Sequence, residues 1–139
     1  MRHQPLLERF EDAILAAVRH GRWLAEAWSA CAHELQPSDP AQFRETLSRL
    51  ATGDVLDASD DDVLVAMGQM LCHALNARRP GYGDFAIQAD TGAYPFHDDA
   101  LERLRCLAEA WKSFRDARQV ARDLAAARRA FERETAPFR

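Results

Sequence analysis

The chain has 139 residues, is 47% hydrophobic and 29% charged, and carries a formal net charge of −4. This is the composition of a globular chain long enough to bury a core, which excludes disorder throughout. It also removes any bulk electrostatic attraction to nucleic acid or to an anionic membrane.

The charge is uneven. Residues 1–97 hold 14 acidic and 8 basic side chains, whereas residues 98–139 hold 8 acidic and 10 basic. An acidic front therefore precedes a mildly basic end, and attraction between the two is one use for the asymmetry. Lys112 is the single Lys among the basic residues. That bias and the Ala richness read as the coding habit of a GC-rich bacterial genome. Cys31, Cys72 and Cys106 are odd in number and share no metal-type spacing, so they are expected to be reduced, buried, small hydrophobes in a cytoplasmic protein. No stretch approaches the ~18 consecutive apolar residues of a membrane span, and the first residues do not resemble a signal peptide.

From Pro5 to Leu35 the pattern is one helix. Leu7, Phe10, Ile14, Ala17, Gly21, Leu24, Trp28, Cys31 and Leu35 alternate steps of three and four. Ala13, Val18, Ala25, Ala27 and Ala32 widen that stripe, which suits a helix with neighbours on two sides rather than a two-stranded coiled coil. Gly21 on the seam either permits close helix approach or marks a break near His20–Arg22, since Gly costs about 1 kcal/mol against Ala inside a helix. Residues 36–40 form a turn in which Ser38 or Asp39 caps a short helix over 40–52. Phe43, Leu47 and Leu50 are its apolar face, and Gly53 is its stop.

Ser59 and the run Asp60-Asp61-Asp62 open a third helix over 60–78, with a capping-box spacing from Ser59 to Asp62. Val63, Leu64, Met67, Met70, Leu71, Ala74 and Leu75 form its buried face, and Pro80 limits its end. Residues 80–97 lack helical periodicity and carry Tyr82, Phe85, Tyr94 and Phe96. They read as an aromatic loop, or as a small hairpin pairing 84–89 with 93–97 around Asp90-Thr91-Gly92. Residues 98–134 contain neither Pro nor Gly and repeat Leu101, Leu104, Leu107, Trp111, Phe114, Ala117, Val120, Ala121, Leu124, Ala127 and Phe131 at helical spacing. Such a helix is about 55 Å long. Its first half is bulky. Its thinner second half must pack on the Ala face of the first helix or meet a second copy of the chain.

No motif commits the chain to catalysis. Asp90-Thr91-Gly92-Ala93 matches the tetrapeptide of aspartic proteases, but that chemistry needs a β-framework, and a turn accounts for it here. The Asp57 and Asp60–Asp62 group lacks the alternation of a Ca²⁺ loop. Cys31 with His33, and Cys72 with His73, diverge around a helix and cannot share an ion. His3, His20, His33, His73 and His97 have no carboxylate partner at a telling distance, and no Arg precedes a His by the four to six residues found in small helical ribonucleases. Phosphate-loop and dinucleotide motifs are absent.

The expectation is an all-α bundle of two long helices, one medium and one short, acting as a single non-catalytic protein-binding module without metal or cofactor. Tyr82, Phe85, Tyr94 and Phe96 are the expected partner-binding residues, because loops on a rigid frame carry binding and aromatics dominate hot spots. Two other readings stand beside it. Arg115, Arg118, Arg122 and Arg129 share a face of the last helix and would serve nucleic acid, although Asp116, Asp123, Glu132 and Glu134 interrupt them. A bundle holding a small ligand among dispersed residues is the other. The long helices also offer a surface for homodimerisation.

Overall fold

The computed structural model describes residues 4–52, 55–57, 60–78 and 99–135, and the described residues form an all-α helical bundle without a strand. The helices are α1 (Gln4–Ala30), α2 (Ala32–Leu35), α3 (Pro40–Thr52), α4 (Asp60–Arg78) and α5 (Asp99–Thr135). None of them is long and apolar enough to cross a membrane. The segment expected to be an aromatic loop or hairpin lies outside the described residues, as does Ser59.

The predicted 5–35 helix is divided at Cys31 rather than at Gly21. Cys31 has φ −103° and ψ 12°, and its N–H reaches both the Ala27 and Trp28 carbonyls, a local tightening before the short α2. Gln36 then closes α2 in the left-handed conformation, its N–H bonded to the Ala32 carbonyl. The helix runs unbroken through Gly21 because a close approach needs that glycine. A Cβ there would stand 3.0 Å from the Leu50 carbonyl of α3 and 3.0 Å from Phe114 Cε1 of α5. Asp39 is the cap of α3, accepting from the Gln42 N–H at 3.1 Å, with Pro40 as the first helical residue.

Cross-helix neighbours fix the directions. Glu34 meets Arg103, Gly21 meets Phe114 and Phe10 lies under Arg128, so α1 and α5 run antiparallel along most of their length. Gly21 with Leu50 and Trp28 with Phe43 set α3 antiparallel to α1 on another side. Leu64 and Gly68 against Trp111, and Asp61 against Arg118, set α4 antiparallel to α5. The four main helices therefore alternate up and down.

The core joins the seams read from the sequence. Ala17, Leu24, Trp28, Cys31 and Leu35 of the α1–α2 arm meet Leu64, Leu71 and Leu75 of α4 and Leu104, Leu107, Trp111 and Phe114 of α5. In the second half of α5 the buried stripe departs from the expected one. It passes through Phe114, Arg118, Ala121 and Ala125, while Val120 is 53% exposed. Steps of four, three and four keep this seam on one face, so the residues beside it turn to solvent although they are apolar. Ala121 and Ala125 are buried and Arg128 lies over the Phe10 ring of α1, whereas residues 126–129 and 132–134 are exposed.

Of the three thiols, only Cys31 is buried; Cys72 is half-buried and Cys106 is exposed, contrary to expectation. Cys106 sits one residue before the seam position Leu107, a rotation of about 100° on a helix, and so faces outward beside Glu102 and Arg105. Burial pushes the Cys31 thiol up to about 11.

Candidate binding groove

The α4–α5 crossing is set by one glycine and one tryptophan. A Cβ at Gly68 would stand 2.7 Å from Trp111 Cζ2, so only glycine lets the indole lie flat on α4. The indole N–H donates to the Leu64 carbonyl at 3.0 Å, which fixes the ring in place. Trp111 is thereby a wall as well as a core residue.

Between α4 and α5 lies a groove of about 480 Å³, whose apolar lining includes Leu64, Val65, Gly68 and Trp111. Val65 is 58% exposed there. Arginines come from α5: Arg115, Arg118 and Arg122 all line this groove. A second depression of about 440 Å³ adjoins it, shares Gln119 and Arg122 with it, and reaches Arg129. From Trp111 to Arg129 the combined trough follows α5 for about 27 Å.

The four arginines grouped from the sequence thus do line one continuous surface, yet they are not equivalent. Arg118 is only 4% exposed, so it is not part of an open arginine face. It donates to the Asp61 carboxylate and to the Asp57 carbonyl, tying the start of α4 and the segment before it to α5. Arg122 donates to both Asp61 oxygens, at 2.9 and 3.0 Å. The hydrogen bond from Arg118, then its charge and the contact with Arg122, hold the Asp61 carboxyl below the ordinary carboxylate range. Arg115 stacks on the Trp111 ring at 4.9 Å and pairs with Asp116 at 3.2 Å. Arg129 has no ion pair among the described residues. Arginines three and four apart on one helix repel one another; what the fold adds is a carboxylate from α4 between Arg118 and Arg122.

Sequence reasoning held two unused signals. Arg118 falls on the seam between Phe114 and Ala121, and a charged seam position demands a buried partner. The carboxylate run before α4 supplies it. Gly68 interrupts an otherwise apolar helix, which generally has a packing reason. The asymmetry between acidic front and basic end is spent in the same way, since Glu34–Arg103 ties the other end of α5 to α2. The arginine hydrogen bond holds the Glu34 carboxyl below its ordinary range.

Tyr82, Phe85, Tyr94 and Phe96 lie outside the described residues, as do His97 and the 90–93 tetrapeptide. Among the described residues no three His, Cys, Asp or Glu side chains gather as a metal site. A smaller apolar pocket of about 290 Å³, lined by Phe43, Val63, Met67 and Met70, lies between α3 and α4. Compared with protein families, with curated proteins and with solved structures, the chain matches none.

Proposed function

We propose that this chain is a non-catalytic protein-binding module whose partner docks in the trough between α4 and α5. The observation that carries the reading is the trough itself. It has an apolar floor with an exposed Val65, a tryptophan wall fixed by a hydrogen bond, and an arginine rim. Arg and Trp on a rigid frame are the residue types that concentrate binding energy at interfaces. The polar chemistry around it favours recognition over catalysis. Asp61 is held ionised between two guanidiniums, which makes it a weak proton acceptor, and the other polar lining is arginine and glutamine with the half-buried Cys72.

Site-specific photocross-linking tests the proposal. A benzophenone side chain is placed at Val65 and, as a control, at Leu15, which is 61% exposed on α1. A discrete partner protein trapped at position 65 and not at 15, and competed away by an excess of the untagged wild-type chain but not by its Val65→Asp variant, supports the module. Equal labelling at both positions, or none at 65, removes it.

A further inference from the structure

We infer that the occupant of this trough is an acidic segment of a partner protein, with an apolar side chain lodged beside Val65 and Trp111 and carboxylates directed at Arg122 and Arg129. The inference rests on the reading of the trough as the docking surface and adds the chemistry of the partner. Its shape favours a chain over a compact molecule. Two adjoining depressions, joined at Gln119 and Arg122, extend for about 27 Å along α5, the length of about eight extended residues. Its charge favours an anion, because Arg115, Arg118, Arg122 and Arg129 line it, and among the described residues its acidic lining is Asp61 and Asp123.

Asp61 already shows what these arginines accept. One carboxylate receives Arg118 on one oxygen and Arg122 on both, so the wall is organised for carboxylate geometry. Because Asp61 occupies Arg122 in the free chain, it competes with any incoming carboxylate. A polyphosphate strand fits less well, because the apolar floor around Val65 and Trp111 would go unused.

The test pans a displayed library of random dodecapeptides on the full chain and measures one selected peptide by fluorescence polarisation. Enrichment of peptides that combine an apolar residue with two or more acidic residues is expected. Arg122→Gln with Arg129→Gln should weaken the chosen peptide by about tenfold. Asp61→Asn should tighten it by about two- to fivefold at low salt, by freeing the arginines from their internal carboxylate. A tighter complex is a result that a misfolded variant does not give, and thermal melts check the double variant. Selection of basic peptides, no selection, or an affinity indifferent to all three substitutions overturns the inference. If Val65→Asp abolishes binding while the charge substitutions do nothing, the docking surface stands and only the acidic occupant falls. Tighter binding of a DNA oligonucleotide, or self-association of the chain abolished by Val65→Asp, also overturns it.

Discussion

Replacing Gly68 by Ala is the sharpest test of how α4 and α5 are held. At a solvent-facing helix position the change would stabilise by about 1 kcal/mol, since Ala is the better helix former. Here the new methyl would meet Trp111 Cζ2 at 2.7 Å and Cη2 at 3.2 Å. The ring cannot slide away freely, because Trp111 is 6% exposed and its N–H is committed to the Leu64 carbonyl. Overpacking of this kind costs about 1 to 3 kcal/mol, and the rigid ring puts this case toward the upper end. The net expectation is a loss of about 1 to 2 kcal/mol. Urea denaturation followed by circular dichroism measures it, in the wild-type chain and again in a Trp111→Phe background. Phe removes the ring atoms that collide, so there Gly68→Ala should stabilise by about 1 kcal/mol and the two substitutions should couple by about 2 to 3 kcal/mol. The reasoning fails if Gly68→Ala stabilises the wild-type chain, or if its effect is the same in both backgrounds.

Arg118→Met keeps the seam filled but strands the Asp57 carbonyl, and a loss of about 2 kcal/mol in urea denaturation is expected, against less than about 0.5 kcal/mol for Arg129→Met. Stability should fall in acid, because arginine hydrogen bonds hold the Glu34 and Asp61 carboxyls of the folded chain below the ordinary carboxylate range; their contribution is complete above the unfolded-chain values and is lost as pH falls through the lower, folded ones. Stability should fall again in alkali. The Cys31 thiol ionises near 9.0 when unfolded and at about 11 when folded, so the unfolded state loses its proton first and the fold weakens across that window by about 2 to 3 kcal/mol. Denaturation midpoints from pH 3 to 11, with Cys31→Ser as the alkaline control, check both limbs; an alkaline limb unchanged by Cys31→Ser would refute the assignment. Changing Tyr82, Phe85, Tyr94 and Phe96 together to Ala should alter the set of proteins captured by the chain, and an unchanged set would sink their role in binding.

Helix existence was legible because each long helix has an uninterrupted apolar period and a usable stop. Asp39 before Pro40 announced α3, and α5 runs within a residue of its expected bounds. What the period could not resolve was rotation within a broad stripe. Val120 and Ala121 are adjacent and both apolar, and only tertiary packing decides that Ala121 is buried and Val120 is not. The same limit hid the groove. Four arginines on one face could be read as solvated or as a phosphate surface, since spacing along α5 says nothing about what α4 places opposite.

The sequence by itself determined the class of this protein: an all-α chain, the approximate extent of its main helices, their apolar faces, and the absence of a local catalytic motif. These follow from interactions within a few residues, where the 3.6-residue period and capping chemistry act. Only the tertiary structure decided that Gly21 and Gly68 are points of contact, that Asp61 bridges two arginines from more than fifty residues away, and that Trp111 walls a trough. Those are properties of pairs of helices, fixed by which side chains meet when two surfaces close on each other, and one strand of letters carries only half of each pair.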